Sequence, residues 1–293
     1  MREGVSWSVP ATFITALPVS QDQVVVRFTS FPELSMDDPT TLNRELGKVE
    51  FPTTLLYGAT STLALALEPE QEFSFVSENT AAGRLSRSAS GFADTLFFAR
   101  YTLVDIDWPR NTLRLAPLAG AYLPTGYYNK SDFLGRLPSY MQSGSGSVDP
   151  FFGLTAAWYN PLYGFSWDAT YRYNPPASSG FRLGDEARTD GSLEWRVWPW
   201  TLPATYVPNE LWGELETNLI WDSRSQVGQA SDLSTGGLTW VWWIGLQYPT
   251  IYWELGAEVG VPVVQNLYGH GRLGKTILFV IFYEYYVATP SWR

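Results

Sequence analysis

The sequence contains no cysteine and a single histidine, His270. Without thiolates the chain cannot form cysteine-type zinc sites or iron–sulfur clusters, and it has no thiol nucleophile. One imidazole likewise excludes a histidine-rich metal centre. We therefore expect neither a metal nor a cofactor.

Basic residues are scarce. The chain has 19 Lys and Arg against 29 Asp and Glu, which gives a formal net charge of −10. Nucleic acids and anionic lipid faces both attract clustered Lys and Arg. The charge balance therefore predicts that nucleic acid is not a partner.

Long apolar runs are also missing. A membrane-spanning helix needs roughly 20 consecutive apolar residues, and the best candidates, such as TILFVIF at 276–282, are far shorter. This excludes a helical membrane protein. The opening REGVSWSVP (2–10) lacks the basic region and apolar core of a signal peptide. We expect the numbered chain to be a form from which that peptide has been removed.

The dominant pattern is strict alternation of apolar and polar residues. In YGFSWDATYRYN (163–174), Phe165, Trp167 and Ala169 share one face, while Asp168 and Arg172 share the other. The segments 186–198 and 210–222 alternate in the same way. This pattern predicts strands with one apolar and one polar face. The runs are about twice the roughly 5–6 residues of an ordinary globular strand, and they match the roughly 9–11 residues of a tilted membrane strand.

We predict an all-β fold: a closed antiparallel transmembrane β-barrel of about 12 strands. The connections alternate between short turns and longer loops, as in bacterial outer-membrane barrels, and an even strand count leaves both termini on the short-turn side. The barrel occupies residues 1–293 as a single domain, with extensions at 1–20 and 288–293. The predicted strands are 22–30, 54–67, 71–77, 92–106, 112–123, 151–160, 164–174, 186–198, 210–222, 238–248, 251–263 and 275–287.

Aromatic residues are abundant, with 14 Trp, 17 Tyr and 16 Phe. Many stand near predicted strand ends, for example Tyr171, Trp198, Trp221 and Tyr248. Amphipathic rings prefer the headgroup level, so these residues are typical of the girdles of a membrane barrel. Core packing of a soluble sandwich is the alternative. The length and polarity of the strands favour the barrel.

The polar strand faces are expected to line the lumen. Their charges have both signs, which permits paired ladders along an aqueous pore or across a filled one. Solvated pairs contribute only about 0–1 kcal/mol each, so single replacements should cost little stability. Trp167, Trp195 and Leu215 should then face lipid. The predicted lumen residues are Asp168, Arg172, Arg188, Asp190, Glu194, Arg196, Glu214, Glu216, Glu254 and Glu258.

Three patterns suggest other chemistry. The stretch GHGRLGKT (269–276) satisfies two phosphate-loop patterns, but a strand-like sequence follows it where a phosphate cradle needs a helix, so we predict no nucleotide binding. His270 could pair with a serine in a barrel hydrolase, although a solvated loop residue is the simpler interpretation. Glu214 with Glu216, and Glu254 with Glu258, could form a glycosidase pair. Charge on a wet lumen wall is the simpler explanation of these carboxylates, and we expect no enzymatic activity.

Several phrases resemble a known family. They are GFADTLFFARYTL (91–103), LRLAPLAGAYLPTG (113–126), GSGSVDPFFGL (144–154), GDEARTDGSLEWRVWP (184–199), ELETNLIWDSRSQVG (214–228) and VGVPVVQNL (259–267). Together they resemble the outer-membrane transporters of the phenol-degradation meta-pathway type. The pairing of LPTG with GSGS is the most specific element. The resemblance covers residues 90–287, implies a barrel for hydrophobic compounds, and supplies no catalytic motif.

Besides the barrel enzyme, which we do not expect, two functions remain open. One is a passive channel in the bacterial outer membrane for small molecules, including hydrophobic or aromatic ones. The other is a structural or docking barrel, plugged by its own side chains, that binds protein partners through its long loops or its wall. The expected partners are outer-membrane lipid, a small solute and, in the second case, another protein.

Overall fold

The computed structural model describes residues 10–36, 41–81, 83–137, 141–178, 180–201, 209–268 and 274–287. Its regular structure in these ranges is entirely β. No helix in the described ranges is long and apolar enough to cross a membrane.

Fifteen strands form one large sheet, and five short ones form two small sheets in the loops. The strands of the large sheet are β1 (Val24–Met36), β2 (Glu45–Gly58), β3 (Leu63–Glu68), β4 (Glu70–Thr80), β5 (Gly83–Phe92), β6 (Thr95–Tyr101), β7 (Val104–Trp108), β8 (Asn111–Leu123), β11 (Asp149–Tyr159), β12 (Tyr163–Arg172), β14 (Glu186–Trp198), β15 (Leu211–Asp222), β18 (Gly237–Pro249), β19 (Trp253–Leu267) and β20 (Lys275–Val287). The short strands are β9 (Ser131–Asp132), β10 (Gly135–Arg136), β13 (Phe181–Arg182), β16 (Gln226–Val227) and β17 (Ala230–Ser231).

The large sheet closes on itself because β1 pairs antiparallel with both β2 and β20. The strands β3 and β4 follow one another along one position of the wall, and β5, β6 and β7 follow one another along the next. Counted this way, twelve antiparallel positions surround the lumen. The predicted twelve-stranded barrel is confirmed.

The predicted strand 54–67 is wrong, because it runs through a turn. The chain reverses at Ala59–Thr62, where the Thr60 hydroxyl accepts hydrogen bonds from the amides of Thr62 and Leu63 at 3.2 and 2.9 Å. The turn expected at 68–70 does not exist. Pro69 only interrupts the ladder there, since proline has no amide hydrogen to donate.

The loops predicted at 31–53 and 78–91 are also wrong, as is the single strand predicted at 92–106. Strand β1 continues to Met36, and β2 begins at Glu45. Residues 83–92 form β5, whose serine-rich sequence resembles a loop because the strand is exposed or half-exposed along its whole length. The segment 92–106 divides into β6 and β7 around residues 102 and 103.

The two faces of the wall differ sharply in polarity. On β18 and β20, the exposed side chains other than Lys275 are apolar, including Ile244, Leu246, Phe279 and Ile281. Many of the buried side chains are polar or charged, including Glu214. This arrangement inverts that of a soluble protein and is the one a barrel in lipid requires. Trp167, Trp195 and Leu215 are half-buried.

The lengths of the connections distinguish the two ends of the barrel. Residues 59–62, 109–110, 160–162 and 250–252 make short turns at one end, which we call the short-turn end. Strand β1 begins at this end and β20 finishes there. Longer connections, including 124–148 and 223–236, stand at the opposite, long-loop end. The predicted extension 288–293 and residues 1–9 of the predicted extension 1–20 lie outside the described residues.

Candidate lumen site

The chain before β1 enters the barrel. The amide of Ala11 donates to Glu216 on β15 at 2.6 Å, and the carbonyl of Ile14 accepts from the Thr155 hydroxyl on β11 at 3.0 Å. Further along, the carbonyl of Leu17 accepts from Arg100 on β6 at 2.5 Å. Because these strands occupy different sides of the wall, residues 10–20 cross the lumen. We call this stretch the lumen segment.

Polar wall residues hold the backbone of the lumen segment. Arg27 and Arg188 donate to the carbonyls of Pro10 and Thr12, at 2.8 and 2.7 Å. Glu216 also accepts from the Thr12 amide and hydroxyl. Hydrogen bonds to charged groups contribute roughly 1.5–3 kcal/mol each. These hydrogen bonds hold the lumen segment in place. From the sequence, it was predicted only as part of an N-terminal extension.

A cavity of about 1020 Å³ runs beside the lumen segment. At the short-turn end it is bordered by turn residues such as Asn160 and Ile251. At the other extreme it reaches Glu33 on β1, Tyr122 on β8 and Glu186 on β14, each within a few residues of the long-loop end of its strand. The cavity thus extends along nearly the whole length of the barrel wall.

Four of the ten predicted lumen residues border this cavity: Asp168, Arg172, Arg188 and Asp190. The Arg188 Nε atom contacts Asp190 Oδ2 at 2.5 Å. The Arg172 Nη2 atom contacts Asp149 Oδ2 at 2.5 Å, and its guanidinium lies 3.9 Å from the centroid of the Tyr122 ring. These arginines are therefore already occupied by neighbours in the wall.

The other six predicted residues are buried and do not border the cavity. Their burial does not fit the expectation of solvated charges, because each side chain is enclosed by packed neighbours. Arg196 pairs with Glu210 at 3.3 Å. The six residues are Glu194, Arg196, Glu214, Glu216, Glu254 and Glu258.

Three of these carboxylates meet in one place. Oxygen atoms of Glu214, Glu216 and Glu258 lie within 4.8 Å of one another. Gln247 donates to Glu214, while Glu254 accepts from the Tyr286 hydroxyl at 3.2 Å. Since none of these carboxylates borders the cavity, the structure gives a substrate in that cavity no contact with a glycosidase pair.

The cavity is also lined by charged residues that were not among the predicted lumen residues. They include Arg27 and Glu33 on β1 and Lys48 on β2. The same period of two that revealed the later strands could have found them. Val25, Arg27, Thr29, Phe31 and Glu33 all border the cavity in strict alternation.

The most specific element of the resemblance forms a clasp. The Asp94 carboxylate accepts from the Gly126 amide at 3.0 Å, and from the Ser145 amide and hydroxyl at 2.7 and 2.8 Å. A Cβ atom on Gly126 would lie 2.8 Å from the Gly144 Cα atom, so this close crossing requires glycine. The clasp joins the two ends of loop 124–148. Further along, that loop packs Leu137 and Met141 against Val76 of β4.

The phosphate-loop pattern lacks its structural context. Residues 269–273, including His270, lie outside the described residues. Lys275, however, begins strand β20 rather than a helix. A phosphate cradle depends on the amides at a helix N-terminus. Here a strand begins where that helix would have to begin, so the fold does not support phosphate binding by this pattern.

The closed antiparallel wall, polar interior and apolar outer belt define the fold of an outer-membrane β-barrel. The chain belongs to the family described as "Putative MetA-pathway of phenol degradation", whose model matches residues 38–207. This confirms the resemblance identified from the sequence.

Two solved structures are similar to this chain to different degrees. One is the COG4313 outer membrane channel from Pseudomonas putida F1, with 14% identity and a TM-score of 0.67, covering 96% of this chain and 100% of that chain. The other is the beta domain of the Bordetella autotransporter BrkA, with 10% identity and a TM-score of 0.47, covering 91% and 100%. A search of curated proteins finds no match.

Proposed function

We propose that this protein is a passive outer-membrane channel for small molecules, including hydrophobic or aromatic ones. The observation that carries the proposal is the cavity of about 1020 Å³ that extends along nearly the whole wall. Its volume is at the upper end of the roughly 300–1,000 Å³ of small-molecule sites. The fold shared with a protein named an outer membrane channel supports the same conclusion.

The proposed orientation follows from the loops. In bacterial outer-membrane barrels, short turns face the periplasm and long loops face outward. The lumen segment enters from the short-turn end, where β1 begins, so the periplasmic mouth is the one it narrows. The ten residues predicted from the sequence to line the lumen remain our proposal for its charged wall. Four of them border the cavity, and the other six are buried without bordering it.

A conductance recording tests the channel. Purified protein reconstituted into planar bilayers should give discrete current steps in potassium chloride. Liposome swelling should show uptake of small neutral solutes that a bilayer excludes, such as a pentose sugar. Protein-free bilayers and liposomes carrying heat-denatured protein are the controls.

A second candidate is a plugged structural barrel that binds protein partners. It is favoured by one observation, the number of hydrogen bonds that seat the lumen segment between β6, β11 and β15. Under this alternative, correctly folded protein would give neither current steps nor swelling. That result would replace the channel with the docking barrel.

A further inference from the structure

The basic side chains at the cavity are almost all committed to neighbours. Arg27 contacts Glu284 at 2.6 Å, and Lys48 contacts Glu50 at 2.5 Å and Glu72 at 3.3 Å. Arg114, Arg172 and Arg188 also form ion pairs at 2.5–3.0 Å. Arg100 donates hydrogen bonds to two carbonyls of the lumen segment. Arg110 stands apart from these on a short turn at the mouth.

Carboxylates at the cavity are in excess. Among the described residues, five carboxylates border the cavity and form no ion pair: Glu33, Glu68, Glu70, Asp168 and Glu186. Glu68 accepts a hydrogen bond from the Thr54 hydroxyl, and Asp168 lies opposite Asp190 in the β12–β14 register. The three that remain are Glu33, Glu70 and Glu186. Glu33 lies opposite Lys48 in the β1–β2 register. The Lys48 ammonium, however, forms its ion pairs with Glu50 and Glu72.

These free carboxylates stand on opposite sides of the barrel. Glu33 and Glu70 belong to β1 and β4, whereas Glu186 begins β14, about half of the wall away. Glu33 and Glu186 lie near the long-loop ends of their strands, whereas Glu70 begins β4, near the middle of the wall position that β3 and β4 share. Acidic side chains that line a pore favour cations, because they raise the local concentration of positive solutes and repel negative ones.

Apolar side chains complete the surface that a solute meets. Phe31 and Leu278 border the cavity on one side. Leu96, Phe98 and Phe151 border it on another, where they form a packed cluster. A solute with an apolar ring and a positive charge would satisfy both kinds of surface.

From this charge distribution we propose that the lumen selects small organic cations with an apolar or aromatic body over anions of the same size. Glu33, Glu70 and Glu186 are the selecting residues. The inference rests on the proposed channel function and specifies its solute class.

The test uses full-length protein in planar bilayers at pH 8. Reversal potentials are measured first in a potassium chloride gradient, and then with benzylammonium replacing potassium or benzoate replacing chloride. The wild type should show permeability ratios above one for potassium over chloride and for benzylammonium over benzoate. Both ratios should fall in Glu33→Gln, and further in the triple variant Glu33→Gln, Glu70→Gln, Glu186→Gln.

Glu45→Gln is the matched control. It removes the same charge from the same β1–β2 hairpin, but Glu45 pairs with Arg84 at 3.1 Å and does not border the cavity, so its ratios should equal those of the wild type. A conducting wild type with ratios at or below one would overturn the inference and leave the channel standing. Absence of any conductance would overturn both. If the triple variant does not fold, the wild type and Glu33→Gln decide the matter.

Discussion

Asp94 stands between β5 and β6, where its buried carboxylate accepts three hydrogen bonds from Gly126 and Ser145. In Asp94→Ala the two amides lose their acceptor in a buried place, which costs roughly 1–3 kcal/mol for each group left unsatisfied. We expect a lower free energy of unfolding in urea, together with faster proteolysis within 124–148.

Ser131→Ala is the control for this prediction. Ser131 lies in the same loop, and its exposed hydroxyl makes a 3.5 Å contact with the Asn129 carbonyl. Its removal should leave both readouts unchanged. Equal stability of Asp94→Ala and the wild type would show that the clasp does not hold the loop.

A lysine introduced on either face of the wall should impair folding, for different reasons. Ile244 is 63% exposed near the middle of β18, and a charge facing the bilayer midplane costs about 2–4 kcal/mol. Glu194 is fully buried and accepts hydrogen bonds from Tyr159 and Ser192, each at 2.8 Å. A lysine there would bury an ammonium beside groups placed to donate to a carboxylate.

Folding into lipid vesicles, followed by the gel shift of the folded barrel, measures both variants. Glu194→Gln keeps an acceptor oxygen and the side-chain shape, so it should fold. Efficient folding of Glu194→Lys would restore the simpler view of a solvated charge on a wet lumen wall.

At the scale of elements, the β9–β10 hairpin is tied to β5 by one ion pair. The Arg87 Nε and Nη2 atoms donate to the Asp132 carboxylate at 2.8 and 2.7 Å. The hydrogen bond from Arg87 holds the pKa of Asp132 below its usual value. A lowered pKa means that this contact stabilises the folded loop above the ordinary aspartate pKa of about 3.9. The contribution is lost as the pH falls further, through the lower folded-state value.

Hydrogen exchange of the Leu134 amide reports on this hairpin, because that amide donates to Asp132 Oδ1 at 2.8 Å. Protection should be constant from pH 7 to pH 5 after correction for intrinsic exchange, and it should decline below about pH 4. In Asp132→Asn the charge is absent throughout, so protection should be lower and independent of pH. A wild-type profile parallel to that of Asp132→Asn would contradict the assignment.

Strands within the membrane belt could be predicted from sequence because each has one apolar and one polar face. The predicted ranges 186–198 and 275–287 coincide with β14 and β20. The predicted strand 71–77 lies within β4, but β5 could not be found this way. Strand β5 is exposed or half-exposed along its whole length, so its sequence carries no apolar period. The break at Thr102–Leu103 is likewise invisible in a pattern that continues across it.

The lumen site was less accessible to sequence reasoning. Alternation gives the face on which Glu194 or Glu214 stands, but it does not show whether water or another side chain meets that face. The lumen segment depends on contacts such as Ala11 with Glu216, which join residues 205 positions apart. The sequence of residues 10–20 does not show where this segment binds, because its hydrogen-bond partners belong to distant strands of the wall.

For the whole molecule, the lumen segment sets how much of the barrel cross-section is open. Arg100 donates to the carbonyls of Thr15 and Leu17, so Arg100→Met should loosen this part of the segment. We expect a larger and noisier unitary conductance than in the wild type. Arg100→Lys, which keeps the charge and part of the donor capacity, should fall between the two.

A reversible crosslink separates displacement of the segment from loss of the arginine charge. Ala16 packs in the same buried cluster as Ala157 on β11, and the chain has no cysteine of its own. A disulfide between Ala16→Cys and Ala157→Cys would therefore be the one crosslink, and its formation can be followed on non-reducing gels. In the Arg100→Met background, oxidation should return the conductance to the wild-type level, and reduction should raise it again. Each single cysteine variant should respond to neither treatment. If the crosslinked and reduced channels conduct equally, the current does not depend on the seat of the segment, and the cavity beside it is wide enough to set the conductance by itself.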